Sequence, residues 1–285
     1  IINLLWVAGG DNNGSGDLFP YENNMLRGIK EKDPDHLWTG HFDANLNVNW
    51  STENKLDADK RDIDALYVWS ETVMHDKGPQ YKTELGHYNK VKMTMQLDQS
   101  YEHDAPHFAD NENYQWIRRK MYDGLLSGCA GTSFSPGTAD NQCYTFKNWK
   151  PLMNTLGMQQ VSYCFRLFDS RHWEKLIPDQ TEDIIIAGRG IFGTLDYVCA
   201  AKATDNSLYI LYIPSGRIIY LNINKIAGKP LQCYWYNPRT GDVLKIGAIG
   251  STDKFGFATP SAEDWVLVMD LEELKLPPPG IVKSK

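Results

Sequence analysis

Two acidic residues that directly follow apolar runs are the groups in this sequence best placed to do chemistry. Asp11 comes after Leu4–Ala8 and Gly9-Gly10, and Asp98 comes after Val91–Leu97 (VKMTMQL). Short apolar runs bounded by glycine or polar residues read as strands buried on both faces. At the C-terminal end of a parallel strand an acidic side chain faces ligand, because the βα loops converge there. Two carboxylates so placed can divide proton donation from nucleophilic or base work. The bland alternative for Gly9–Asn12 is a turn in which Asp11 caps the next helix. Glu102, four residues beyond Asp98, is a competing carboxylate, with a helix-start or hydrogen-bonding role as its structural alternative.

Other residues could serve the same site. His41 stands near a strand end, where it can orient a carboxylate, bond a hydroxyl or simply be satisfied structurally. Trp69 and Tyr101 are candidate platforms for a sugar ring, with core packing as the alternative. The chain holds 9 Trp and 15 Tyr, which suits ring stacking. Its formal net charge of -7 disfavours nucleic acid and anionic membranes as partners. No apolar run approaches the roughly 18 residues that span a bilayer. A Gly-rich phosphate loop, a nucleophilic serine elbow and a zinc spacing are all missing, and Gly188-Arg189-Gly190 stands without a dinucleotide pattern, so no cofactor or metal is expected. The five cysteines are scattered; Cys129 and Cys143 could pair across a loop, but the odd count favours buried free thiols.

These residues need elements to position them. Strand–loop–helix units run through the first part of the chain: a helix over Tyr21–Lys32, a strand over His36–Phe42 (HLWTGHF), a strand over Ile63–Trp69 (IDALYVW), a helix around Gly78–Tyr88, the strand before Asp98, a helix over Glu112–Leu126, a strand over Gly128–Phe134 and a helix over Asn148–Phe168. Arg118 and Tyr122, one helical turn apart, share a face and are expected to brace this domain rather than touch substrate. From Arg171 onward the pattern changes to short strands and turns: Tyr197–Ala203, Ser207–Ile213, Ile218–Asn222, Gln232–Tyr236, Val243–Ile246 and Trp265–Asp270. Regularly spaced short strands imply a β-sandwich. The last stretch, Leu276–Lys285, carries three prolines and reads as a tail. The expected domains are therefore 1–172, 173–275 and the tail 276–285.

In order, these motifs resemble glycoside hydrolase family 140, the apiosidase-like family. The resemblance runs through Gly9–Asp11 (GGD), Asp33–His41 (DPDHLWTGH), IDALYVW, Leu97–Glu102 (LDQSYE) and the R-x-x-x-Y-x-x-L-L-S-G-x-x-G stretch from Arg118 to Gly131. It continues through Trp173–Gln180 (WEKLIPDQ), Tyr212–Arg217 (YIPSGR), Trp235–Asp242 (WYNPRTGD) and Glu263–Asp270 (EDWVLVMD). It implies an α/β plus all-β chain: the later part of a (β/α)8 TIM-type barrel followed by a small antiparallel β-sandwich, sometimes described as collagen-binding. A barrel of about 250 residues places about three βα units before Ile1, and the opening Ile1-Ile2-Asn3 reads as the middle of something longer.

The same resemblance implies a secreted or periplasmic glycosidase acting on a complex, plant-type polysaccharide. Asp11 matches the family's acid/base, and Asp98 stands where the family has a glutamate. An aspartate carries its carboxylate about 1.5 Å further back, and a misplacement near 1 Å can cost about a hundredfold in rate. Three outcomes stay open: Asp98 serves on an adjusted backbone, a wider gap admits water and favours inversion, or catalysis is lost. The rival reading is a non-catalytic carbohydrate-binding or structural protein that keeps the scaffold within a larger assembly. The sugar, its linkage and the oligomeric state are not set by these motifs, because the specificity contacts come from loops such as Asp43–Glu53 and Asp104–Asn113.

Overall fold

The computed structural model describes residues 4–12, 19–42, 62–67, 79–88, 93–98, 101–103, 114–137 and 149–282. Two compact units form: Ile1–Ser100 with Cys129–Phe134, and Tyr101–Gly128 with Ser135–Lys285.

The first unit alternates strands and helices: β1 (Leu5–Asn12), α1 (Phe19–Lys32), β2 (Leu37–Phe42), β3 (Ile63–Tyr67), α2 (Gln80–His87), β4 (Met93–Asp98) and β5 (Cys129–Thr132). Strands β1 and β2 pair in parallel, and so do β3, β4 and β5 in that order. The Asp62 N–H donates to the Trp38 carbonyl at 3.2 Å and Thr39 Oγ1 donates to the Ile63 carbonyl at 2.7 Å, which bring β3 beside β2. The five strands thus follow chain order with no reversal, unlike the switched order of a doubly wound sheet. Among the described residues these strands form a two-stranded and a three-stranded parallel sheet, and no closed barrel.

Helix α1 begins two residues earlier than its periodicity predicts. Pro20 falls in its first turn, where a missing N–H costs nothing, and Lys30 and Lys32 complement the dipole in its last. Its Leu26 packs with Ala8 and Trp38, and Trp6 lies against that cluster. Trp6 Nε1 donates to Asp33 Oδ2 at 2.9 Å, and His36 lies 2.6 Å from the other oxygen. His36 first, then Trp6, holds the Asp33 carboxyl below its ordinary range. On the strand face carrying Leu5, Val7 and Leu37, Val7 and Leu37 are almost half exposed.

The second unit contains α3 (Tyr114–Leu126), α4 (Trp149–Leu152) and α5 (Leu156–Asp169), then β6 (Leu176–Pro178), β7 (Ile185–Ala187), β8 (Cys199–Ala203), β9 (Leu208–Ile213), β10 (Ile218–Leu221), α6 (Ile223–Ile226), β11 (Leu231–Tyr236), β12 (Val243–Ile249), β13 (Phe255–Ala258) and β14 (Trp265–Leu271). The single helix expected over Asn148–Phe168 is two. Thr155 accepts from the Met158 N–H at 3.3 Å and so opens α5 as a new helix. A six-stranded antiparallel sheet, ordered β12-β11-β14-β9-β8-β6, faces a three-stranded one, β13-β10-β7. Leu211, Cys233, Trp235, Leu267 and Met269 of the larger sheet meet Ile185, Ile219, Leu221 and Phe257 of the smaller one in a common core.

The larger sheet is also covered on its other face, by helices. Tyr122 of α3 stacks on Tyr212 of β9 with ring centroids 5.1 Å apart. Burial on both sides explains why β9, LYILYI, is apolar throughout and buried at every position. The Leu276–Lys285 stretch forms no strand where it is described, but it is docked. Arg171 Nη2 donates to the Pro277 carbonyl at 3.0 Å, and the Gly280 N–H donates to Ser170 Oγ at 2.9 Å. Cys129, Cys164, Cys199 and Cys233 are buried free thiols, so Cys129 makes no disulfide; Cys143 lies outside the described residues.

Candidate functional site

Both acidic strand ends sit at breaks in strand register. Gly9 pairs with His41 and Asn12 pairs with Phe42, so Gly10 and Asp11 form an insertion with no counterparts on β2. Gly9 adopts a φ of 85°, a conformation that favours glycine, and this is why the run breaks at a glycine before the acid. Strand β1 continues to Asn12 and α1 starts only at Phe19, so Asp11 lies too far upstream to cap that helix. In β4, Gln96 pairs with Leu66 and Asp98 pairs with Tyr67, leaving Leu97 as an extra residue just before the acid. Bulges of this kind re-aim the residues that follow them. The side chains of Asp11 and Asp98 lie outside the described residues, so the structure places their backbone alone.

The other candidates divide between the units. His41, partly exposed, sits on β2 beside Gly9 in the first unit. Trp69 and the Asp43–Glu53 and Asp104–Asn113 loops lie outside the described residues. Tyr101 and Glu102 belong to the second unit, Tyr101 partly exposed and Glu102 only 1% exposed. Glu102 Oε1 accepts from the Gly157 N–H at 3.0 Å, and Oε2 accepts from the Gly137 N–H at 3.4 Å. Gly157 is the second residue of α5. The carboxylate therefore satisfies an otherwise orphaned amide at a positive helix end. Replacing Glu102 with alanine leaves buried amides without partners, and a loss of about 1–3 kcal/mol in a urea titration is the expected result.

Arg118 and Tyr122 brace α3 against α5, within the part expected, and also against the C-terminal sheet. Arg118 Nε and Nη2 each donate to Asp264, the residue before β14, at 2.8 Å, and Nη1 donates to Gln160 Oε1 of α5 at 2.7 Å. Tyr212 and Arg239 also donate to the Asp264 carboxylate, at 3.0 Å each. Burial alone raises that carboxyl's affinity for protons, but Arg118, with Arg239 and Tyr212, outweighs it and holds the group below its ordinary range. A second buried pair, Arg171 on Asp270 with two bonds of 2.8 Å, ties the segment after α5 to β14.

Sequence reasoning missed a polar cluster next to Asp98, formed by Glu84, Gln96, Cys129, Thr132 and Ser133. The available signal was Thr94 and Gln96 alternating with apolar residues in β4. Both are buried, and a buried amide needs a specific partner. Among the described residues no group of three His, Cys, Asp or Glu side chains could hold a metal ion, and no helix is long and apolar enough to cross a membrane.

Comparison with known proteins adds to this geometry. A solved structure described as a glycoside hydrolase superposes with a TM-score of 0.73 at 21% identity, covering 94% of this chain and 65% of its own. A glycoside hydrolase family 5 structure from Bacteroides vulgatus gives 0.75 at 20% identity, with 94% and 63% covered. A glucosidase from Croceicoccus marinus gives 0.50 at 12% identity, with 90% and 65% covered. These likenesses establish a shared fold, and the chain spans less than two thirds of each of those proteins. No curated protein matches. Residues 177–270 match a family described as "Putative collagen-binding domain of a collagenase". Residues 1–175, more than half of the chain, match the family described as "Apiosidase-like, catalytic domain", and the chain belongs to that family.

Proposed function

We propose that this chain is part of an O-glycosyl hydrolase that cleaves a complex, plant-type polysaccharide outside the cytoplasm, with Asp11 as acid/base and Asp98 as nucleophile or base. The observation that carries the reading is the placement of both acids at register breaks near the ends of parallel strands, Asp11 within the break one residue before the end of β1 and Asp98 just past the break at the end of β4, on strands three apart in an unreversed order. Three strand spacings of about 4.8 Å put the two backbones about 14 Å apart. For catalysis the two side chains must reach inward and bring the carboxyls to the roughly 5–9.5 Å at which glycosidase pairs work. The half-exposed Val7 and Leu37 support the TIM-type barrel, because parallel strands are normally covered on both faces. His41, Trp69 and Tyr101 are proposed to contact the sugar.

The test is hydrolysis by the full-length protein of p-nitrophenyl glycosides, apiosides beside pentosides and hexosides, and of plant cell-wall polysaccharides scored by released sugar. Turnover that disappears in both Asp11→Asn and Asp98→Asn is the expected result. Saccharide binding without turnover would leave the non-catalytic alternative, which the aspartate at position 98 favours.

A further inference from the structure

The peptide unit that leads into Asp98 is held by a side chain just past the end of the neighbouring strand β5. Leu97 is the extra residue of the β4 register break, and its carbonyl accepts a hydrogen bond from Ser133 Oγ at 2.6 Å. That carbonyl and the Asp98 nitrogen belong to one planar peptide, so fixing the oxygen fixes the direction in which the chain enters the Asp98 Cα. Gln96 anchors the strand one residue earlier. Its Oε1 accepts from Thr132 Oγ1 at 2.9 Å, and its Nε2 donates to Glu84 Oε1 at 3.5 Å. Cys129 Sγ donates to the same Glu84 oxygen at 2.8 Å. Burial, with Glu84 beside it, pushes that thiol's pKa well up and keeps it a donor at neutral pH.

The strand is thus gripped on both sides of Leu97: Gln96 between α2 and β5, and the Leu97 carbonyl by Ser133. Slipping back into register would break these bonds together, because a one-residue shift turns every side chain to the opposite face. An aspartate has a short side chain and little reach with which to correct a misplaced backbone, so the backbone itself must be held.

We propose that Ser133 is a positioning residue for Asp98, its hydroxyl fixing the Leu97–Asp98 peptide plane while the Glu84–Gln96–Thr132 contacts keep the register break in place. This rests on the reading of Asp98 as a catalytic carboxylate. The test compares Ser133→Ala, which removes the donor, with Ser133→Thr, which keeps it, in the full-length protein and on whichever p-nitrophenyl glycoside the wild type cleaves. Ser133→Ala is expected to lower kcat about 10- to 100-fold, with KM and the thermal midpoint close to wild type, and Ser133→Thr to restore most of the rate. An unchanged kcat in Ser133→Ala, or equal losses in both variants, overturns the proposal. If the wild type cleaves no glycoside, the activity reading fails by itself, and hydrogen exchange over Met93–Asp98 then decides. Faster exchange in Ser133→Ala that Ser133→Thr reverses supports the positioning role, and equal exchange in all three proteins overturns it.

Discussion

Replacing Arg118 with alanine is expected to destabilise the protein by up to about 3–5 kcal/mol, the cost of removing the main partner of a buried charge. The buried charge is Asp264, whose side chain is 1% exposed and which takes two of the guanidinium's hydrogen bonds. Removing Arg118 leaves that carboxylate with Tyr212 and Arg239 and also takes away a donor to Gln160. A urea titration should show the loss as a lower midpoint. The double variant Arg118→Met, Asp264→Leu should recover much of it, because well-packed apolar residues often replace a buried ion pair without loss. The pH dependence follows from the lowered Asp264 carboxyl. Its contribution is fully present above the ordinary aspartate pKa and is lost as pH falls through the lowered value. The Arg118→Ala penalty should therefore be full at neutral pH and shrink in strong acid.

Asp98→Asn is expected to lower kcat by more than about a thousandfold, and Asp11→Asn by about a hundred- to ten-thousandfold. Asparagine keeps the shape of each side chain, so unchanged denaturation midpoints would assign the loss to chemistry rather than folding. Asp98→Glu is the more discriminating change. If the register break at Leu97 already advances the backbone to suit the shorter acid, the added methylene overshoots, and kcat falls about a hundredfold. A variant faster than the parent would instead mean that the aspartate is poorly placed. The anomer first released, followed by proton magnetic resonance, separates retention from inversion and so reports the gap between the two carboxyls.

Some features were legible in sequence because they depend on neighbours along the chain. The apolar runs before Asp11 and Asp98 and the helical periodicity after Tyr114 reappear as β1, β4 and α3. Strands β6, β7 and β13, of three or four residues each, were not read. The break between α4 and α5 was hidden because Thr155 acts as a cap only once its side chain turns back on Met158.

The roles of individual charged residues were less legible. Glu102 read as either a rival to Asp98 or a helix-start hydrogen-bonding residue; it bonds a helix-start amide, but the amides it meets lie 35 and 55 residues further on. Arg118 looked like a brace for its own domain; it does bond Gln160 there, but its carboxylate partner lies 146 residues away, just before β14. By itself the sequence determined the alternation of parallel strands with helices, the antiparallel strands that follow, and the acids at two strand ends, because periodicity and turn chemistry act over a few residues. Only the tertiary structure decided where register breaks, which charges are buried in pairs and which polar groups hold the end of β4, because those depend on partners that folding alone brings within hydrogen-bonding distance.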